Sequence, residues 1–263
     1  MPRSGAPWSG WASREKKTPR AGEQDRPDIK QERDVFQQQI AQVDPKRLYY
    51  FDEFGLNLNM TRRYGLAPSG ERAYGVAPFR RGVTMTLVLG LGLAGIVEPC
   101  TFEGAINGHI FGTYMAEQVL PHLPPDAIAV VDNVGAHQSE EARDALEARG
   151  VIVVDSPEEA CLDAEAPGIQ MWFLPPYSPE LTAAEECGSK IKILTRAAEP
   201  RTKEALIDAM GQAIGRVTPT DARGWFDHAL RGRAPRPRPE VADHGGAVGS
   251  TGPGEQPREG PRR

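Results

Sequence analysis

Apolar residues recur along this chain in two rhythms. "RLYYFDEF" (47–54), "AIAVVDN" (127–133) and "VIVV" (151–154) are short, densely apolar runs and predict strands. "GVTMTLVLGL" (82–91) and "GIVEPCTFE" (95–103) predict two more, joined as a hairpin turning at Gly92–Gly95. Elsewhere the spacing lengthens. "NGHIFGTYMAEQVLPHL" (107–123) sets Ile110, Tyr114 and Val119 at helical intervals, and "SEEARDALEARG" (139–150) is a helix stopped by Gly150. Helices are also predicted over 28–41, 184–197, 202–215 and 218–230. Three strands, a helix, then strand–helix–strand–helix predict an α/β fold, a mixed five-stranded sheet covered by helices on both faces.

One glycine pattern competes with the hairpin. "GLGLAG" (90–95) fits the G-x-G-x-x-G of nicotinamide-binding enzymes, which needs a strand before it and a helix after it to receive the pyrophosphate. The residues that follow, "IVEPCTF", are β-branched and interrupted by Pro99, so a second strand is predicted instead. A nicotinamide-dependent enzyme using Gly90–Gly95 is thus a minor alternative.

The ends differ from the middle. Residues 231–263 are rich in Pro, Gly and Arg and poor in large apolar side chains, which predicts a disordered tail. Residues 1–30 read as a flexible basic segment, leaving 31–230 as the folded domain. The net charge of −5 over 263 residues is split accordingly: +3 in residues 1–33, +3 in 231–263, and −11 between them. Basic arms around an acidic centre suit nucleic acid meeting a metal site; ordinary solvated tails read the same way. Cys100, Cys161 and Cys187 form no CxxC pair, which points to a reducing compartment. The longest apolar run, 83–97, is too short and glycine-rich to span a membrane, and no signal peptide opens the chain. A cytoplasmic protein without a membrane partner is expected.

Candidate chemistry lies in the carboxylates. Asp52 and Asp132 each end a run that is apolar without alternation, as in a strand buried on both faces. A buried ionised carboxylate needs a partner or a metal, and open sheets place ligands beyond such strand ends. If the two strands are neighbours, both acids can face the same cations; as turn-initiating residues they would instead be satisfied by backbone amides. His137, in the turn after Asp132, has no partner histidine at metal spacing and reads as supporting or structural. In "LPPYSPELTAAEE" (174–186), Thr182 to Glu185 has the form of a capping box, which would occupy Glu185 at a helix start. Spacing alone does not choose between Glu185 and Glu186.

Taken in order, "KKTPRAGEQDRPD", "FDEFGLNLNMTRRYGLAPSGERAYG", "VVDNVGAH", "LPPYSPELTAAEE" and "KIKILTRAAEPRT" resemble the blocks of a bacterial insertion-sequence transposase family, insertion sequence six-thirty, related to mariner elements. The resemblance runs from about Lys16 to Leu230. It implies a ribonuclease-H-like fold and a catalytic, metal-binding triad of Asp52, Asp132 and Glu185 holding two Mg²⁺ or Mn²⁺ ions. It also implies cleavage at the element's ends and strand transfer into target DNA, with DNA as partner. Arg62, Arg63, Arg72, Arg80 and Arg81 are candidate phosphate contacts, and Asn133 and His137 candidate supports of the metal site. A homodimer, and a separate helix-turn-helix protein encoded upstream, are further partners consistent with it, since no helix-turn-helix precedes Lys16. Work on DNA would place the protein at the nucleoid.

The sequence departs from the family pattern in four places. Thr182-Ala183 replaces Asn-Pro, and Gly188 replaces a large apolar residue, which predicts a weaker, less firmly docked helix. Gln138 replaces a lysine. The atypical insertion at about 155–173 is long enough to move Glu185 out of register with the aspartates. A decayed, inactive remnant that folds and binds DNA or a partner is the alternative these departures leave open.

Overall fold

The computed structural model describes residues 21–62, 64–135, 137–156 and 168–231. The basic segment before Ala21, most of the 155–173 insertion, Arg63 and the 231–263 tail beyond Arg231 lie outside the described residues. Helix α1 (Pro27–Ile40) opens with proline at its first position and buries Ile29, Phe36 and Ile40. The folded part thus starts ahead of the boundary expected at residue 31. Strands β1 (Leu48–Asn57), β2 (Thr84–Gly92) and β3 (Gly95–Glu103) follow, then α2 (Gly108–Tyr114), β4 (Ile128–Val131), α3 (Glu140–Glu147) and β5 (Ile152–Val154). Strand β6 (Gln170–Phe173) precedes α4 (Ala184–Ala198), α5 (Lys203–Ile214) and α6 (Pro219–Arg231).

The strands form one mixed sheet in the order β3-β2-β1-β4-β6-β5. The first three are antiparallel, while β1, β4, β6 and β5 run parallel. Six strands stand where five were counted. The extra one, β6, is only four residues long but sits between β4 and β5 with every residue buried. A run this short, beside an acidic stretch and a proline pair, carries too little periodicity to be recognised.

Alternation along the central strands separates two cores. Tyr50, Phe54, Ile128, Val130 and Trp172 face α1, α4, α5 and α6; Phe51, Ala129, Val131, Met171 and Phe173 face α2 and α3. Full burial of each large apolar side chain is worth about 1.5–3 kcal/mol. Edge-to-face pairs seat α1 and α6 on the sheet, Phe36 on Trp172 at 6.4 Å and Tyr50 on Phe226 at 5.1 Å. The helix expected over 107–123 is broken: α2 passes into a π turn at Met115–Val119 and a 3₁₀ turn at Leu120–His122, where Pro121 cannot continue an α-helix.

The glycine hexad forms the hairpin. Gly92 pairs with Gly95, and the segment after it is β3. A side chain at Gly92 would meet the Tyr49 ring at 2.8 Å, so the glycine admits an aromatic ring of β1 close to the β2 backbone. Among the described residues no helix is long and apolar enough to cross a membrane.

Candidate metal centre

The parallel pairing of β1 with β4 sets two of the acids. Leu48 lies opposite Ile128, Tyr49 opposite Ala129 and Tyr50 opposite Val130. The same register carried two residues further brings Asp52 alongside Asp132, which leaves the end of β4. Arg47 fixes the start of this pair: its buried guanidinium Nε donates to the Asp126 carbonyl at 2.9 Å and lies 3.2 Å from the Asp126 carboxylate. Alternation points Asp52 to the Tyr50 and Phe54 face, where α4 packs.

The third acid arrives on α4. Thr182 does not form the expected capping box: its hydroxyl accepts from the Ala184 N–H at 3.2 Å, and its own N–H donates to the Pro179 carbonyl. The intervening 3₁₀ turn, Pro179–Leu181, shifts the helix start by one residue and makes Ala183 the cap. Glu185 is thus not tied back to Thr182, and it lines a cleft of about 460 Å³ with Asp52, Asp132 and Asn133. The insertion at 155–173 has not displaced it. Its neighbour Glu186 turns away, with its Oε1 2.5 Å from His228 Nδ1 on α6. Gly188 does not loosen the docking of α4 either. A side chain there would meet the Phe54 ring at 2.8 Å, so its absence lets the helix lie close on β1.

Electrostatics show how near the acids are. The Asp52 carboxyl is pushed up to about 7, first by burial and then by the charges of Asp132 and Glu185. The Glu53 N–H, 2.7 Å from Asp52 Oδ1, and the Lys192 ammonium act the other way. Lys192 lies two helical turns beyond Glu185 on the same face of α4, with its Nζ 5.0 Å from the centre of the Phe54 ring. Among the described residues, no three acidic, histidine or cysteine side chains close around one point as a finished cage. Asp52, Asp132 and Glu185 nonetheless fit a hard divalent cation: all are oxygen donors, and their mutual repulsion is what such an ion relieves.

Behind Asp132, His137 is buried and stacked on Phe111 with ring centres 3.9 Å apart. Its Nδ1 hydrogen-bonds with the Asp132 carbonyl at 3.3 Å and lies 2.5 Å from Asp132 Oδ1. Asn133 Oδ1 accepts from Gln138 Nε2 at 2.5 Å, so the glutamine standing in the lysine's place braces the same turn. Glu53, on the opposite face of β1 from Asp52, is raised by burial; the His137 charge lowers it and Asp132 raises it.

The segment between β6 and α4 is the most constrained part of the cleft. Tyr177 adopts φ +57°, a left-handed conformation that costs a bulky residue on the order of 1–3 kcal/mol. Its carbonyl accepts from Gln24 Nε2 at 2.5 Å and from Arg33 Nη1 at 3.1 Å, and Arg33 also bonds Ser178 Oγ at 2.6 Å and pairs with Glu180. Arg62, Arg72, Arg80 and Arg81 are exposed on the segment between β1 and β2, and none lines the cleft. Tyr177 lies in a motif block that stood out, but nothing in its neighbours marks the left-handed backbone. Lys192 could have been found by counting two turns from Glu185.

A mixed sheet in the order β3-β2-β1-β4-β6-β5 with helices on both faces is the ribonuclease-H-like class of fold. A family model described as DDE superfamily endonuclease matches residues 47–207, and the chain belongs to that superfamily. The fold is similar to that of the Mos1 strand transfer complex, with a TM-score of 0.61 at 13% identity over 84% of this chain and 64% of that one. The Mos1 mariner paired end complex with Mn gives 0.62 at 13% identity, covering 82% and 64%. The catalytic domain of Mos1 mariner transposase gives 0.53 at 10%, covering 77% and 88%. This chain therefore spans less than two thirds of the Mos1 chains in the two complexes. Comparison with curated proteins gave no match.

Proposed function

We propose that this chain is the catalytic domain of a DNA transposase, cleaving phosphodiesters at the ends of its element and transferring the freed strand into target DNA. The observation that carries the reading is that Asp52, Asp132 and Glu185, from β1, the end of β4 and α4, far apart in sequence, line one cleft. The Mos1 complexes crystallised with Mn and with Mg point to those two ions as the metals. Asp52, Asp132 and Glu185 would hold a pair of such cations, which would supply activation of the attacking oxygen and stabilisation of the leaving one. The chain's own part is to aim the three carboxylates, with Asn133 and His137 supporting Asp132. The ordered motif blocks favour the insertion-sequence branch of the superfamily, with element ends and target DNA as partners. A homodimer and a separately encoded helix-turn-helix protein would complete the assembly. Exposed Arg62, Arg72, Arg80 and Arg81, with Arg63 outside the described residues, are candidate phosphate contacts. Such a protein works in the cytoplasm, at the nucleoid.

The test is Mn²⁺-dependent nicking of DNA carrying the element's terminal repeats, compared between the natural chain and Asp132→Ala. Nicking by the natural chain alone is expected. Equal nicking by both, or by neither, leaves only a folded, non-catalytic relative.

A further inference from the structure

Tyr177 is the least comfortable residue of the cleft, and nothing in the proposed chemistry uses it. A glycine would take φ +57° freely, whereas a tyrosine there is strained. The ties from Gln24 and Arg33 hold its carbonyl, and Pro176 and Pro179 stiffen its flanks. These contacts fix the backbone and leave the ring alone. Tyr177 is 47% exposed and lines the same cleft as Asp52, Asp132 and Glu185. Tyr50 and Tyr114, by contrast, bury their rings in the two cores. Strain sustained for a side chain that adds nothing to a core points to a ligand that the ring meets.

The surroundings define that ligand. The cleft is acidic, so a phosphate entering it is repelled unless cations are present. A ligand that must hold on here gains from an uncharged anchor next to the charged one. The Tyr177 ring, together with Pro175, Pro176 and Pro179, offers flat apolar surface beside the carboxylates. A planar group attached to a phosphodiester is a nucleobase, and one lying beside the bond to be cut must leave the duplex stack to reach this surface. We infer that the Tyr177 ring is a stacking platform for an unpaired nucleobase next to the scissile phosphate. The inference rests on the nuclease reading above and adds a base-holding residue to it. Stacking is tolerant of base identity, so Tyr177 contributes grip on an opened DNA end rather than sequence choice.

The test uses the full chain and a forked DNA duplex whose unpaired 3′ end carries 2-aminopurine, with Ca²⁺ present to allow binding without cleavage. The natural chain and Tyr177→Phe are expected to quench the fluorophore. Tyr177→Gly is expected to lose the quenching and to bind the fork about 5- to 150-fold more weakly. Because glycine relieves the backbone, the same variant should melt at a higher temperature, so affinity and stability move in opposite directions. Unchanged quenching and affinity in Tyr177→Gly overturns the platform, and so does a fall in melting temperature alongside the loss of affinity, which marks a structural residue. Mn²⁺-dependent nicking separates the two claims. Quenching by a natural chain that never nicks leaves the platform standing and removes the catalytic reading. Nicking without quenching does the reverse.

Discussion

Two segments leave the sheet near the cleft, and they are built on opposite terms. The segment from Leu174 to Ala183 is short, proline-rich and pinned from α1, and it ends where Glu185 enters the cleft. The arm from Leu58 to Val83 forms no helix or strand among its described residues. Its base is fastened: Leu58 N–H donates to the Arg81 carbonyl at 2.9 Å, and Arg201 reaches the Met60 and Val76 carbonyls. Farther out, Tyr64, Leu66, Tyr74, Val76 and Phe79 are each at least 86% exposed. One segment accepts strain to fix a position, and the other leaves apolar surface uncovered. Chemistry at a phosphate needs side chains placed to a fraction of an ångström, whereas an outer arm needs only reach.

The largest effect expected from breaking this contrast is at the end of the pinned segment. Glu185→Gln should reduce Mn²⁺-dependent nicking by more than about 10³-fold, beyond the loss of a single preorganised donor, with no fall in melting temperature. Glu186→Gln should do the converse, keeping nicking while lowering stability by about 1 kcal/mol, since its His228 pair is half exposed. If the two variants behaved alike, the assignment of the third acid would be wrong.

Arg33→Ala removes the ties to Tyr177, Ser178 and Glu180 together. Nicking should fall roughly 10- to 100-fold, as when an outer support of a metal site is lost, and melting should drop about 2–4 °C per kcal/mol lost. Activity close to that of the natural chain would show that the loop holds its shape unaided.

Asp52 gives a pH signature. Its carboxyl titrates near 7 in the folded chain against 3.8 as the ordinary value, so between these limits the folded state keeps a proton that the unfolded state has lost. Stability of the metal-free protein should fall as pH rises through that window and stay at its lowest above it. Asp52→Asn should flatten this dependence, melting higher than the natural chain at about pH 8 and little differently at about pH 4. A natural chain whose melting temperature climbs from pH 4 to 7 more steeply than that of the variant contradicts the raised carboxyl.

The smallest effect belongs to the arm. Leu66→Ser and Phe79→Ser should change folding stability by no more than about 0.5 kcal/mol, measured by urea unfolding, because neither side chain is buried within the chain.

The strands and helices were legible wherever a run was long enough to show its period. β1, the β2–β3 hairpin, α1 and the three C-terminal helices fall within a few residues of their expected bounds. Four residues of β6 were too few, and Pro121 broke a helix that apolar spacing had carried through. At the site, Asp52 and Asp132 stood out because each interrupts an apolar run, although β1 continues to Asn57 and leaves Asp52 midway along it. Spacing did not separate Glu185 from Glu186, and only the family resemblance chose between them; in the fold, His228 claims Glu186 from α6. The strained backbone of Tyr177 was not readable for a similar reason. Its backbone is set by Gln24 and Arg33, more than 140 positions away in the chain.

Gly188 has a consequence for evolution. With no side chain in the way, the helix bearing Glu185 comes close to the Phe54 ring. A larger residue at 188, such as the family pattern carries, requires the Phe54 ring to give way, so the two positions are free to change only together. Drift at this buried position is therefore tied to the residue opposite it on β1.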